Sequence, residues 1–221
     1  MKLLDNLFMY PWVSLTENNS NTYVINGDVP TIIDVGHLRH LGRLFKSMEK
    51  DGISPDEIVL IISTHLHPDH HEGVAALSER NVLIAFHREE ERHLKAFGHQ
   101  LYQSMRLIIP DIQPHFYLRE GILRLGNVEL EVYETPGHSP GSISLYWKEK
   151  KALIVGDVVF WGGVGRTDFY EGDSALLKEK ILRLSQLDVE YLLPGHGKII
   201  EGRGAVKKNF REIHDTIFPL M

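Results

Sequence analysis

The sequence predicts an α/β protein in which two groups of β-strands are each followed by helices. Short runs of apolar and β-branched residues recur before residue 90 and again after residue 120. Between and after these runs, apolar side chains recur at helical spacing. Two sheets built from two halves of one chain would produce this order, so we expect a single domain over residues 1–221.

The first half of the chain shows a hairpin, a helix and a buried strand. Residues 22–25 and 31–34 are rich in β-branched side chains and flank the turn signal Asn26-Gly27-Asp28, which predicts a hairpin. Apolar residues between 38 and 48 have helical spacing. The continuous apolar run 58–62 predicts a strand that is buried on both faces.

A charged helix is predicted between the two groups of strands. Residues 87–109 have a helical pattern, which Pro110 and Pro114 interrupt. The acidic run Glu89-Glu90-Glu91 indicates a solvated helix face. We expect the segment 87–117 to form a lid, a substrate wall or a subunit contact.

The second half repeats the pattern of strands followed by helices. Its predicted strands are short and apolar or alternating, and they span residues 128–133, 143–147, 152–155 and 191–193. Helices are expected over 174–187 and 205–217.

Composition excludes several classes of protein. Hydrophobic residues make up 43% and charged residues 24% of the 221 positions, which is ordinary for a globular protein. A net charge of -6 offers no basic footprint for nucleic acid. The chain has no cysteine, so disulfides, thiolate metal sites and a cysteine nucleophile are excluded. No apolar run reaches the roughly 18 residues of a membrane helix, and no signal peptide is recognisable, so we expect a cytoplasmic protein with a small-molecule substrate.

The most informative stretch is Thr64-His65-Leu66-His67-Pro68-Asp69-His70, which directly follows the apolar strand 58–62. It places three imidazoles and one carboxylate within six residues. Such side chains are costly to desolvate unless they are paired or bind a metal. A buried strand that ends in this cluster therefore predicts a metal site.

Three further residues of the same chemical type follow other predicted strands or lie in glycine loops. They are His138 in Thr135-Pro136-Gly137-His138-Ser139-Pro140-Gly141, Asp157 after Gly156, and His196 in Pro194-Gly195-His196-Gly197. A rigid strand end followed by a turn is a common position for functional side chains.

Together these positions supply five imidazoles and two carboxylates as candidate metal ligands: His65, His67, Asp69, His70, His138, Asp157 and His196. This mixture suits zinc, iron or manganese and does not suit calcium or magnesium. Seven ligands exceed the four of one tetrahedral zinc. The number therefore predicts two divalent metal ions that share a carboxylate and a bridging water, with zinc favoured and iron or manganese left open.

The motif HxHxDH, followed in order by His138, Asp157 and His196, resembles the metallo-β-lactamase superfamily over roughly residues 22 to 200. The resemblance implies an αββα four-layer sandwich with the metals at one edge between the sheets. By the same resemblance, the first metal binds His65, His67 and His138. The second binds Asp69, His70 and His196, and Asp157 bridges the two. Asp34 resembles the acid that orients a ligand histidine in this family.

The run from Gly156 to Asp168 is similar to the hydroxyacylglutathione hydrolase (glyoxalase II) branch of the superfamily. The chain ends 25 residues after His196, so we expect it to lack the C-terminal helical domain that holds glutathione in that branch. The resemblance implies an enzyme in which a metal-bound hydroxide attacks a thioester or ester-like carbonyl. Asp69 would act both as a ligand and in orienting the nucleophile.

Other functions remain open at this point. The run 156–168 is also similar to persulfide dioxygenases, in which one iron would use His65, His138 and Asp157. A different class would be a metal-binding regulatory module without catalysis. Nucleases and flavodiiron oxidases also occur in the superfamily. No basic stretch supports a nuclease. The motif of flavodiiron oxidases resembles HxE, whereas this chain has His67 at the position of the glutamate. Neither the oligomeric state nor the physiological substrate follows from the sequence.

Several other side chains are predicted from local sequence alone. We expect His71 to be solvated or to support a neighbouring ligand. The remaining histidines are expected at the surface, at positions 37, 40, 87, 93, 99, 115 and 214. Arg166, Thr167 and Asp168 are expected to brace the loop after Asp157. Trp161 and Tyr10 suit a substrate pocket and a core position equally well.

Overall fold

A computed structural model describes residues 1–14, 16–78 and 80–221. The strands of the first half are β1 (Lys2–Leu4), β2 (Leu7–Tyr10), β3 (Thr22–Ile25), β4 (Thr31–Ile33), β5 (Leu60–Ile62), β6 (Leu83–His87) and β7 (Phe116–Leu118). Those of the second half are β8 (Gly121–Leu125), β9 (Val128–Glu134), β10 (Ile143–Trp147), β11 (Ala152–Gly156), β12 (Val159–Phe160), β13 (Gly163–Val164), β14 (Tyr191–Pro194) and β15 (Ile200–Glu201).

The α-helices are α1 (Leu41–Lys50), α2 (Pro68–His71), α3 (Arg88–Ser104), α4 (Ser174–Leu184) and α5 (Arg203–Thr216). Short 3-10 helices span Leu38–His40, Pro55–Glu57, Glu72–Ala76 and Phe218–Leu220. Among the described helices, none is both long enough and apolar enough to cross a membrane.

The strands form two large sheets, one from each half of the chain. The first sheet runs in sequence order from β1 to β7, with its first pairs antiparallel and the pairs from β4 to β7 parallel. The second sheet has the order β15-β14-β11-β10-β9-β8, in which β11 and β14 are the parallel pair. A small separate ribbon joins β12 to β13.

Alternation of side chains along the strands explains why the sheets are covered on both faces. Successive strand residues point to opposite faces. Ile33 in β4 faces the core between the two sheets, whereas its neighbour Ile32 packs with the helices of the first half. In β11, Ile154 faces the same inter-sheet core and Leu153 packs with α4 and α5. Burial of each such side chain contributes about 1.5–3 kcal/mol.

Three buried clusters therefore define four layers. One cluster lies between the sheets, one beneath α1 and one beneath α4 and α5. Helix α4 contributes Leu177, Ile181 and Leu184, which recur at helical spacing. The predicted α/β architecture, an αββα sandwich, is confirmed.

The parallel strands place their carboxyl ends at one edge of the sandwich. Loops that follow β4 and β5 in the first sheet meet loops that follow β11 and β14 in the second, as expected for a binding site in an α/β protein. The two halves are hydrogen-bonded there: Ile143 N donates to Thr64 O over 2.9 Å, and Asn21 N donates to Gly195 O over 2.6 Å.

The predicted hairpin over 22–34, the strands 128–133 and 152–155, and the helix of the terminal segment are all present. Two differences have a clear physical origin. The helix predicted over 87–109 ends at Ser104, several residues before Pro110. Strand β8 is not predicted because its apolar residues do not alternate, and Ile122 is exposed at the edge of the sheet.

Candidate metal centre

The local backbone explains the spacing of the HxHxDH motif. Strand β5 ends at Ile62, and α2 begins at Pro68, a residue that suits the first turn of a helix. His67 has an extended backbone immediately before the helix. Asp69 and His70 lie within the single turn of α2 and are buried.

The structure brings all seven predicted ligand residues together. Ligand atoms of His65, His67 and His138 lie within 4.8 Å of one another. The same holds for Asp69, His70 and His196, and for His65, His70 and Asp157. The first two sets are the two ligand groups that the family resemblance implies. Ligation itself remains a prediction.

Asp157 lies between those two groups. Its Oδ2 is 3.6 Å from Nε2 of His138 in one group and 3.4 Å from Nε2 of His196 in the other. Its Oδ1 is 3.3 Å from Nε2 of His70. A carboxylate in this position could contact two ions at once.

Two buried atoms of the site lack a hydrogen-bond partner among the described residues. They are Nε2 of His65 and Oδ1 of Asp157, whose 3.3 Å approach to Nε2 of His70 does not have hydrogen-bond geometry. A buried polar atom without a partner costs about 1–3 kcal/mol, and both atoms are ordinary ligands of transition metals. The donor set therefore fits a metal centre that would satisfy these atoms.

Two histidines of the first group, His65 and His67, are held in the neutral form. Burial, together with repulsion from the neighbouring His138 imidazole, lowers the pKa of His67 to about 3. Burial also lowers the pKa of His65 well below its usual value, with additional repulsion from His70. Metal ligation requires the neutral imidazole, so this environment suits a cation.

The second group is dominated by its carboxylates. Burial opposes the charged form of His196, but Asp157 and Asp69 outweigh it and raise the pKa of His196 to about 9. The pKa of His70 is likewise raised despite burial, by Asp157 and Asp34. Burial opposes ionisation of Asp157, yet the adjacent His70 and His196 hold its pKa well below the usual range. A cation bound here would replace the protons on these imidazoles.

Hydrogen bonds fix which ring nitrogens face the site. Nδ1 of His138 donates to the carbonyl oxygen of Arg166 over 2.7 Å, which leaves Nε2 for a ligand. Nδ1 of His70 lies 2.9 Å from Oδ2 of Asp34, so Asp34 orients this histidine as expected. Asp34 also accepts hydrogen bonds from N and Oγ1 of Thr64, both over 2.8 Å.

Three supporting residues are not identifiable from the sequence. Two of them are Asn18, whose Nδ2 donates to Oδ2 of Asp69 over 2.5 Å, and Phe169, whose ring lies 5.2 Å from that of His67. Both residues lie far from the motif along the chain, and neither has a local signal that sets it apart from neighbours of the same type.

Glu90 is the third residue, and here the sequence prediction was wrong. The sequence predicts that Glu90 lies on a solvated helix face, but only 1% of the residue is exposed. Its Oε2 accepts from N of Leu66 over 2.8 Å, and its Oε1 accepts from Oγ of Ser139 and N of Gly141. Glu90 thus joins the two loops that carry His67 and His138.

Some of the histidines expected at the surface are also buried. His37 contacts Glu72, with 3.0 Å between Nδ1 and Oε2, and His93 contacts Glu171 over 2.9 Å. His71 is buried against Ser63 and is not solvated. Side chains that find a polar partner can be buried at modest cost, and such partners are distant in sequence.

The structure places the two aromatic residues that the sequence leaves open. Tyr10 is buried in the cluster beneath α1, whereas 61% of Trp161 is exposed. Arg166 braces the loop after Asp157, as predicted, through its carbonyl oxygen and through an ion pair with Asp168 of 2.7 Å.

This fold and this order of histidines and aspartates define a class of protein. The chain belongs to the metallo-β-lactamase superfamily, whose family model matches residues 15–196.

Relatives of the chain carry hydrolase names. The probable metallo-hydrolase MJ0888 of Methanocaldococcus jannaschii is 34% identical, covering 82% of this chain and 89% of that protein. The hydroxyacylglutathione hydrolase GloC of Haemophilus influenzae is 33% identical, covering 62% and 68% respectively. The acyl-coenzyme A thioesterase MBLAC2 of Gallus gallus is 28% identical, covering 81% and 73%.

A similar solved structure is that of TTHA1623 in a di-iron-bound form. It is 30% identical, with a TM-score of 0.75, and the match covers 90% of this chain and 98% of that one. The family and fold are therefore established, and the chain is a member of a metallo-hydrolase family with a cluster of histidine and aspartate metal-binding groups.

Proposed function

We propose that this protein is a metal-dependent hydrolase that cleaves thioesters at a binuclear centre. The observation that carries the proposal is the position of Asp157 between two groups of three ligand-type side chains. A single tetrahedral ion would leave several of these buried side chains without a partner.

The donor set supports zinc as the resident metal. Imidazole nitrogens and carboxylate oxygens are ordinary zinc ligands, and the chain has no cysteine to add a softer donor. The same donors accept iron, and TTHA1623 has been solved with two irons. The metal must therefore be measured on the isolated protein.

The proposal of a thioester rests on relatives as well as on chemistry. Hydroxyacylglutathione hydrolase and acyl-coenzyme A thioesterase, the names of two relatives, both denote enzymes that cleave a thioester. A thioester carbonyl is an electrophile that a hydroxide can attack without a covalent enzyme intermediate. No cysteine is available in this chain as a nucleophile.

When bound, divalent ions would supply Lewis acidity and would lower the pKa of a bound water molecule. The protein's own groups then orient the reactants. Asp69 presents a buried carboxylate at the centre, held by Asn18 at 2.5 Å. We assign Asp69 the additional role of accepting a hydrogen bond from the attacking water, which would aim its lone pair at the substrate carbonyl.

Metal analysis paired with activity assays tests the proposal. We expect about two zinc ions per chain in protein purified without added metal, together with hydrolysis of acyl thioesters of glutathione or coenzyme A. One iron per chain with oxygen uptake on glutathione persulfide would instead indicate the dioxygenase. Stoichiometric metal without turnover of thioesters, esters or lactones would indicate a binding module and contradict the proposed hydrolase.

Variants sharpen the test of two sites. His138→Ala and His196→Ala should each lose about one ion, because each removes a ligand of one group only. Asp157→Ala should lower occupancy of both. The exposed His99→Ala is the matched control and should keep the full metal content. Equal loss in the first two variants and the control would contradict the assignment.

A further inference from the structure

An apolar cavity adjoins the candidate metal centre. It has a volume of about 270 Å³ and lies between α3 and the segment 168–170. Its apolar lining consists of Leu66, Leu94, Phe97, Leu101, Phe169 and Tyr170. The rings of Phe97 and Tyr170 stack with centroids 5.0 Å apart and form one wall.

Most of the polar side chains that line this cavity have partners within the protein, whereas Gln100 is exposed to solvent. Nδ1 of His93 lies 2.9 Å from Oε2 of Glu171. The hydroxyl of Tyr102 donates to the carbonyl oxygen of Leu66. Asp168 is paired with Arg166. With these groups engaged, the lining favours an apolar ligand over a charged one.

The cavity shares three lining residues with the metal centre. His67, Leu101 and Phe169 line it and also line the neighbouring cavity of about 330 Å³ that contains His138, Asp157 and His196. The Phe169 ring lies between the two cavities, 5.2 Å from the ring of His67 and 6.1 Å from that of His138. A carbonyl group at the metal centre could therefore extend an apolar chain past Phe169.

We propose that this cavity binds the acyl chain of the substrate, and that the substrate is a thioester of a linear, apolar acid of medium length. The proposal rests on the thioesterase function proposed above. The volume of about 270 Å³ accommodates an acyl chain of several methylene groups. Its apolar lining distinguishes this substrate from a short hydroxylated acyl group, which would leave the cavity unfilled.

The first test is a series of acyl thioesters of coenzyme A from acetyl to dodecanoyl. Each buried methylene group should raise kcat/KM by about fourfold until the cavity is full, so that kcat/KM reaches a plateau within the series. A value of kcat/KM that does not change with chain length would overturn the assignment of the cavity while leaving the hydrolase intact.

The second test uses a substitution in the apolar wall that fills the cavity with a larger side chain. Leu94 lines this cavity and is not among the residues that line the metal centre. Leu94→Trp should lower the ratio of kcat/KM for octanoyl to that for acetyl thioester at least tenfold. Leu94→Ala should shift the preference toward longer chains, and it remains informative if the larger substitution does not fold. His99→Trp adds the same indole to an exposed position of α3 and should leave the ratio unchanged.

A binding measurement separates this proposal from the proposed function. The S-octyl thioether of N-acetylcysteamine has no thioester carbonyl to hydrolyse, and calorimetry should show binding with a negative heat-capacity change. Leu94→Trp should weaken that binding at least tenfold, and His99→Trp should not. Binding that follows this pattern without any thioester turnover would contradict the proposed hydrolase function. It would still support the cavity as a site for an apolar chain. Equal binding of the S-octyl and S-methyl thioethers would overturn the assignment of the cavity as the acyl-chain site.

Discussion

Asp34 and His70 form a buried pair in which Oδ2 of the carboxylate lies 2.9 Å from Nδ1 of the imidazole. Asp34 follows the end of β4 with a positive φ of 57°, an uncommon conformation for a residue with a side chain. It also accepts two hydrogen bonds from Thr64, at the start of the histidine motif. One carboxylate thus positions both the loop and a candidate ligand within it.

Replacement of Asp34 should weaken metal binding without removing a ligand. In Asp34→Asn, the amide cannot accept from both His70 and Thr64 in the same way, so His70 loses its fixed orientation. We expect metal affinity to fall about 10–100-fold, measured by competition with a chromophoric chelator. Asp56→Asn, at an exposed position paired with Arg80, is the control. Unchanged affinity in Asp34→Asn would contradict the orienting role.

Glu90 should be needed to hold the two ligand loops together. Its carboxylate accepts from Leu66, Ser139 and Gly141, and Glu90→Gln places an amide donor against at least one of these donors. A buried donor left unsatisfied costs about 1–3 kcal/mol, and each kcal/mol lowers Tm by about 2–4 °C in a protein of this size. Calorimetry of the metal-free protein measures this change.

Glu89→Gln is a matched control for Glu90→Gln, because Glu89 is the adjacent residue and its carboxylate pairs only at the surface with Arg92. Its Tm should fall less than that of Glu90→Gln, and by at most about 4 °C, since surface ion pairs contribute about 0–1 kcal/mol. Similar melting temperatures for the two variants would contradict the bridging role of Glu90.

Local sequence signals select the candidate ligand residues, whereas partners distant in sequence determine the residues that support them. The candidate ligands stand out because each follows a strand or lies in a glycine loop, a signal carried by neighbouring residues. Glu90 was not, because its neighbours Glu89 and Glu91 are also acidic, and only a fold that brings Ser139 to α3 distinguishes it. For the same reason His93 was expected at the surface, although it is buried with its Nδ1 2.9 Å from Oε2 of the partly exposed Glu171.

The strands show the same difference between what local sequence predicts and what distant contacts determine. Alternation and apolar runs predicted β3, β4 and β5 in the first sheet and β9, β10, β11 and β14 in the second. They could not predict that β8 forms an edge of the second sheet, since an edge strand with exposed Ile122 has no alternating pattern. Pairing between distant strands, rather than local preference, determines such elements.

Metal binding should release protons near neutral pH. In the metal-free protein, burial opposes protonation of His196, but Asp157 and Asp69 raise its pKa to about 9. His196 is therefore protonated at pH 7, and a metal must displace that proton. We expect zinc affinity to rise by about tenfold per pH unit for each displaced proton between about pH 7 and 9, and calorimetry in buffers of different ionisation enthalpy counts the protons released.

The same raised pKa has a consequence for the metal-free protein. A histidine whose folded pKa exceeds its unfolded value stabilises the fold fully below the unfolded pKa of about 6.5. This contribution is lost as the pH rises through about 9. His196→Gln should remove it and should also release fewer protons on binding zinc, whereas the exposed His99→Gln should change neither. A pH-independent zinc affinity would contradict the paired state of His196.

Gly195 should tolerate no side chain, because it lies directly against the metal centre. A Cβ at this position would overlap Oδ1 of Asp157 and lie 2.7 Å from Cε1 of His70. Gly195→Ala must therefore displace a carboxylate or an imidazole of the candidate ligand set. We expect metal content and thioester hydrolysis to fall together, by at least tenfold for activity.

Gly204→Ala is the matched control, since no atom lies within 4 Å of the position that its new methyl group would occupy and alanine favours the surrounding helix α5. Full metal content in Gly195→Ala would contradict the close approach of this loop to Asp157 and His70.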